Sequence, residues 1–339
     1  MNYISRGGYV IKTTQVQQLF EKNLFYLLTF FIVLGILYGL YFPGHAIILR
    51  PYIPFTLFLM LYPMMIGIEI EEVKQATKNR RLIAWSIFFN FIVSPLLAFV
   101  IAQLVLRGLA DYQVALILLS ATPCAGMVVG WTGMAKGNTP LALVIVALSL
   151  LMSIITIPLT MVIIVGTIVT VDMFELFKGT LLIIVIPMIL GDITRRLIIS
   201  QWGRSGFMYI KPLLAPVSML GMFSILFISL ALGAEKILAQ WHLVLIILTA
   251  LVIFYILLII VSLGISRKLD IDSKNIIALV YSVVGKNISL AVGLAAQFFT
   301  PLTVAMLAIN PLVQAPVMAW FLRYSKRFQE KSQQTPSSN

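Results

Sequence analysis

From Leu24 onward the chain is a succession of apolar runs, each about long enough to cross a bilayer and parted from the next by a few polar residues. The runs cover about 24–42, 52–68, 82–106, 112–134, 140–169, 179–198, 212–233, 241–265, 275–297 and 302–322. A hydrocarbon core needs roughly 20 apolar residues in helical form. Backbone groups inside it must be hydrogen-bonded within the protein, so runs of this length read as helices rather than barrel strands. The sequence thus predicts an all-α polytopic membrane protein with ten transmembrane helices over 24–325. A segment over 1–23, without the short apolar region and cleavage site of a signal peptide, precedes them, and a polar tail over 326–339 follows. Composition agrees: 60% of the 339 residues are hydrophobic and 11% are charged, against roughly 45–50% and 25% in soluble domains.

The formal charge of +12 would raise the question of nucleic acid in a soluble protein. Its distribution answers it. With an even number of spans both termini share one side, and 19 of the 24 Lys and Arg residues fall in the segments on that side. Only Arg50, Arg107, Lys178 and Lys236 fall opposite. By the positive-inside rule both termini are expected to be cytoplasmic in an integral plasma- or inner-membrane protein. The charge marks orientation, and no nucleic-acid partner is expected.

The one remaining basic residue, Lys286, lies inside the ninth run. A cation at bilayer depth must face a cavity or a partner. Three functional roles are open to it: an anion contact, a proton carrier or fixed charge, and a replacement for a bound cation. The structural alternative is a lysine paired with unwound carbonyls or reaching toward the interface. No intramembrane Asp or Glu is an evident partner. Glu69, Glu71 and Glu72 end the second run, and Asp192 lies near the end of the sixth.

Ten helices invite a search for the inverted repeats of secondary transporters. Sliding the second half by 161 residues places Thr139-Pro140-Leu141 on Thr300-Pro301-Leu302, Cys124 on Gly285, Ser149 on Asn310 and Ser153 on Gln314. The expected repeats are about 24–169 and 179–322. The fourth run carries Pro123-Cys124-Ala125-Gly126 and the ninth Gly285-Lys286-Asn287, each a break or polar insertion in an apolar stretch. Interrupted helices expose backbone dipoles and build substrate sites, so the fourth and ninth helices are expected to be discontinuous and crossed.

Cys124, the only cysteine, is a candidate soft ligand, although a lone buried cysteine often serves as a small apolar residue. Asn287 and Ser289, with Ser149, Ser153, Asn310 and Gln314, could line a polar pathway or hydrogen-bond between helices. Asn90 and Pro95 read as packing residues, Tyr62 and Pro63 as a kink, and His45 and His242 as solvated. One cysteine and two histidines supply no structural zinc site, and no cofactor is expected. No phosphate-binding glycine loop, H-E-x-x-H or G-x-S-x-G element is present, so neither ATP-driven transport nor an intramembrane enzyme is indicated.

The stretch Thr122-Pro123-Cys124-Ala125-Gly126-Met127-Val128-Val129-Gly130-Trp131-Thr132-Gly133-Met134-Ala135-Lys136-Gly137-Asn138 resembles the fourth-helix signature of the arsenite efflux transporters in the bile acid:sodium symporter superfamily. Leu59 to Met65, ending in Glu71-Glu72, resembles their second helix, and Asn90 to Leu97 their third. The resemblance runs in order over about 24–325. It implies inverted five-helix repeats, a panel and a core domain, and crossed helices 4 and 9. It also implies that Cys124 handles trivalent arsenic with Trp131 nearby. In the ninth helix Asn287 keeps one of the family's paired asparagines, Lys286 replaces the other, and Ser289 stands at an acidic position. Compared with the sodium-coupled branch, Val128, Val129 and Val283 occupy positions of ligating side chains, and valine cannot ligate sodium.

The expected function is a secondary transporter exporting arsenite or a related small oxyanion or thiophilic solute, coupled to protons or to membrane potential. Its candidate substrate contacts are Cys124, Trp131, Lys286, Asn287 and Ser289. Two alternatives stand beside it: an organic-anion carrier using Lys286, and a non-transporting membrane receptor or scaffold.

Overall fold

The computed structural model describes Gln15 and residues 23–67, 80–169 and 172–334. Arg6, Lys12, Lys22, Lys74, Lys78, Glu69, Glu71 and Glu72 lie outside the described residues, as does the tail after Gln334. Among the described residues thirteen helices follow in order: α1 Leu24–Tyr41, α2 Pro43–Ile66, α3 Arg80–Val105, α4 Ala110–Ala121, α5 Met127–Met134, α6 Thr139–Thr167 and α7 Met173–Leu232. Then come α8 Ala234–Ala239, α9 Trp241–Lys268, α10 Ser273–Val284, α11 Ile288–Phe298, α12 Pro301–Ile309 and α13 Pro311–Gln334. No strand forms among the described residues. Six helical stretches among them are long and apolar enough to cross a membrane: α2, α3, α6, α7, α9 and Pro301–Ser325.

Several boundaries differ from the hydropathy reading, each for a local reason. The second helix starts at Pro43 rather than near 52, because Pro at a first helical position is favourable and a 3-10 turn over Arg50–Tyr52 carries the helix through Pro51. His45 and Arg50 interrupt hydropathy there without interrupting the helix. The sixth and seventh runs are joined in α7, whose polar middle remains helical except at Gly203, where φ is 69°. Asp192 pairs there with Arg195 and Arg196, three and four residues on, a spacing that supports a helix. The tenth run is divided at Asn310, because Pro311 has no N–H to continue the preceding ladder. The fourth and ninth runs are broken as expected, into α4 and α5 and into α10 and α11.

The chain forms two compact units. The first draws on Met1–Glu69, Phe174–Trp241 and Val292–Ala308. In it Phe31 of α1 stacks on Phe223 of α7 with ring centres 5.1 Å apart. Tyr62 of α2 shares a 2.7 Å hydrogen bond with Thr194, and Ser218 donates to the carbonyl of Met60.

The second unit draws on Ile70–Met173, His242–Ala291 and Ile309–Asn339. Here α3 packs on α4 and α9, α6 on α4, α5 and α10, and α13 on α9 and α10. The short helices are interior: α4 is buried from Tyr112 through Ala121 and α10 from Ile276 through Val284. Longer helices present apolar stripes outward. Ile92, Leu96, Val100 and Leu104 of α3, spaced four apart on one helical face, are all exposed, as are Ile155, Leu159 and Ile163 of α6. Apolar surface of this extent is unfavourable in water and is well solvated by lipid tails.

Candidate functional site

The site lies in the second unit, where both broken helices lose their ladders. α4 stops at Ala121 because Thr122 turns extended, at ψ 151°, and Pro123 cannot donate. A helix end leaves its last carbonyls without intrahelical donors. α10 begins under the side chain of Asp272, which accepts from the backbone N–H groups of Lys274 at 3.1 Å and Asn275 at 3.3 Å. It ends at Gly285.

The two unwound segments solve the backbone problem jointly. Asn287 N–H donates to the carbonyl of Pro123 at 2.9 Å, and Ala125 N–H donates to that of Gly285 at 2.8 Å. This makes an antiparallel bridge with Cys124 opposite Lys286. Gly285 permits the approach, since a Cβ there would lie 2.3 Å from Val128 Cγ2 and 2.8 Å from the carbonyl oxygen of Tyr281.

Cys124 is buried. Its N–H donates to Ser149 Oγ at 3.3 Å and its Sγ lies 3.2 Å from the same oxygen. The hydroxyl of Ser149 in turn donates to the Val146 carbonyl at 3.0 Å. The thiol is thus held by a hydroxyl on α6 at the point where the two breaks pair.

Lys286 is fully buried. Its Nζ lies 3.2 Å from the Asn90 carbonyl oxygen, 3.1 Å from Asn90 Oδ1, 2.7 Å from the Ser120 carbonyl and 3.4 Å from the Thr122 carbonyl. The last two belong to the exposed end of the α4 ladder. The first arises from a π-turn at Phe89–Val93, where Ser94 N–H reaches back five residues to the carbonyl of Phe89. In that register the next donor, to Asn90, is residue 95, and Pro95 has no N–H. The Asn90 amide is oriented by its Nδ2, which donates to the Ser86 carbonyl at 3.1 Å. Of the arrangements open to Lys286, the structure holds the pairing with unwound carbonyls, and among the described residues no carboxylate accompanies it.

Asn310 and Gln314 brace the second break. Tyr255 donates to Asn310 Oδ1 at 2.9 Å, and Asn310 Nδ2 lies 3.4 Å from Gln314 Oε1. Gln314 Nε2 donates to the carbonyls of Val284 and Lys286, both at 3.0 Å. Asn287 caps the first turn of α11, its Oδ1 accepting from Leu290 N–H at 3.0 Å. Trp131, on α5, stacks on Tyr281 of α10 with ring centres 6.2 Å apart. Ser289 is half-buried in α11. Ser153 donates to the Leu150 carbonyl of its own helix at 2.6 Å and takes no part in the network.

Cys124, Lys286, Asn287, Ser149, Asn310 and Gln314 are therefore brought together. Asn90 joins them, against its reading as a packing residue. The signal was present in the sequence as an asparagine five residues before a proline within an apolar run. Tyr255 was not singled out by any sequence pattern.

Apolar helices with lipid-suited stripes, and two broken helices hydrogen-bonded at their breaks, define an integral membrane transporter. The chain belongs to the sodium bile acid symporter family, whose pattern matches residues 54–240. It is 29% identical over 288 residues, 80% of each chain, to the arsenical-resistance protein Acr3 of Alkaliphilus metalliredigens. It is 22% identical to the protein of the same name from Corynebacterium glutamicum, covering 77% of this chain and 74% of that one. An uncharacterized transporter of Synechocystis sp. is 27% identical over 94% of this chain and 91% of its own.

Proposed function

We propose that this transporter exports arsenite or a related small oxyanion across the plasma or inner membrane, driven by protons or membrane potential. The observation that carries the reading is the thiol of Cys124 at the pairing of two broken helices. Trivalent arsenic is thiophilic, and a cysteine held beside a hydroxyl offers it a soft donor where the helices are interrupted. The arsenical-resistance names of two relatives support the same cargo.

In this reading the chain has ten spans in two inverted repeats, over about 24–169 and 179–322, with both termini cytoplasmic. The 161-residue offset relates Ser149, which braces Cys124, to Asn310, which belongs to the brace on the opposite break. Trp131, Asn287 and Ser289 contribute further substrate contacts. Lys286 sets the local charge. The organic-anion alternative has less support, since the donors of Lys286 are already directed at protein oxygens.

The test is arsenite flux in proteoliposomes under separately imposed proton and sodium gradients. Cys124→Ser is expected to reduce flux by about tenfold or more, a rise of about 1.4 kcal/mol in the transport barrier. Unaltered arsenite flux in the variant would refute the thiol role.

A further inference from the structure

We propose that the oxygen cage around Lys286 is a monovalent-cation site, of potassium or ammonium size, that the chain keeps filled with its own side-chain ammonium. Four oxygens from two parts of the second unit converge on one buried nitrogen at 2.7–3.4 Å. The side-chain ammonium of Lys286 has three N–H donors, so the cage offers one acceptor more than its hydrogen bonding needs. Such an excess of oxygens suits a spherical cation.

The size and charge of the cage select the class of ion. Magnesium demands oxygens at about 2.0–2.1 Å and calcium at about 2.3–2.6 Å, usually with carboxylates among them. Every oxygen here is farther out and formally neutral. Ammonium and potassium are nearly the same size, and both carry the single charge that neutral carbonyls accommodate. The negative end of the α4 dipole adds to the attraction.

The cage oxygens are also released by sequence features independent of Lys286. Pro95 withholds the N–H that would occupy the Asn90 carbonyl in the π register, and Pro123 ends the α4 ladder next to Thr122. Removing the lysine side chain leaves these carbonyls directed at the same point.

A covalently attached cation does not dissociate into solution. The pairing of the two breaks is therefore held without a soluble alkali ion, and the transport cycle has no step at which one binds at this point. That consequence rests on the transporter reading above; the cage itself does not, and its test reads binding rather than flux.

The experiment uses the full chain in detergent. Melting temperature is measured for wild type and Lys286→Ala in choline chloride and in rising concentrations of potassium, ammonium, sodium or magnesium chloride at constant ionic strength. Lys286→Ala is expected to show a saturable rise of about 4 °C with potassium or ammonium, a smaller one with sodium and none specific to magnesium. Wild type is expected to show none. Lys286→Gln, which fills the space with a neutral amide, should not respond either. If Lys286→Ala responds no more to potassium or ammonium than to choline, the cage is not a cation site and the proposal is overturned. A wild-type melting temperature that rises saturably with potassium overturns it as well.

Should Lys286→Ala not survive purification, Lys286→Ser takes its place under the same criteria. If neither is recovered, the wild-type melt decides. Equal melting temperature in choline and in potassium or ammonium supports a built-in cation, and a saturable rise with potassium or ammonium overturns it. Failure of arsenite to be the cargo leaves the melting result standing, so the two readings fail separately.

Discussion

Replacing Gln314 with leucine removes one side chain that serves two carbonyls of the second break. In the native protein its Nε2 donates to the carbonyls of Val284 and Lys286. The Val284 carbonyl keeps a second donor, the N–H of Lys286 at 2.8 Å, so its loss amounts to one ordinary hydrogen bond, about 1 kcal/mol. The Lys286 carbonyl loses the donor that Gln314 supplies in a buried position. An orphaned buried acceptor costs about 1–3 kcal/mol, which brings the destabilisation to about 2–4 kcal/mol. For a chain of this size that corresponds to a fall of about 3–6 °C in melting temperature. The assay is thermal unfolding of purified Gln314→Leu in detergent, followed by hydrogen exchange of the peptide containing Asn287. Because the Asn287 N–H bonds across to Pro123, loosening the brace should speed its exchange more than exchange in α6. A melting temperature within about 1 °C of wild type, with unchanged exchange at Asn287, would refute the assignment of Gln314 as a brace.

Two further substitutions test the pairing of the two breaks. Gly285→Ala brings a methyl group into the Val128 side chain and a backbone carbonyl, so a loss of about 3 kcal/mol or more is expected, read as reduced folded yield and a lowered melting temperature. Tyr255→Phe leaves Asn310 Oδ1 without the donor it has in the native protein; a loss of about 1–3 kcal/mol is expected by the same melt, and a double variant with Gln314→Leu should fall short of the sum because the two act on one network.

Much of the helical layout is legible in hydropathy, since only long apolar helices satisfy their backbones in lipid. The breaks at Pro123-Cys124 and Gly285-Lys286-Asn287 are legible too, because proline, glycine and a charge are all anomalous inside such runs. What periodicity could not show is which face of a helix meets protein. In a soluble protein polar residues mark the outer face; here Leu104 is exposed and Leu119 buried with no difference in chemistry. The partners of Lys286 were hidden for another reason: three of its four oxygens are backbone carbonyls, which every residue possesses. Only their lack of competing backbone N–H groups makes them special, the Ser120 carbonyl accepting the Ser94 hydroxyl at 3.1 Å besides Lys286, and that lack depends on Pro95 and Pro123 through three-dimensional register. The joining of the sixth and seventh runs in α7 was equally hidden, because Arg195 and Arg196 lower hydropathy while their pairing with Asp192 favours a helix.

The π-turn in α3 also sets the rotational phase of everything after it. By taking up one extra residue in a wider turn, it holds the remainder of the helix back by about 100° from the phase an unbroken α-helix would give. With the turn in place Leu96, Val100 and Leu104 point outward, while Pro95, Ala98 and Ala102 are buried. Were 89–93 to close into ordinary α-helix with every residue kept, each later residue would turn about 100° into its successor's place, taking Val100 into the buried place of Ile101 and Pro95 and Ala102 into the exposed places of Leu96 and Gln103. The single irregularity that frees a carbonyl for Lys286 is thus also the reason the following three turns match bulky side chains to membrane and small ones to protein. Closing that turn at constant length would alter the lipid-facing surface and the cation cage together.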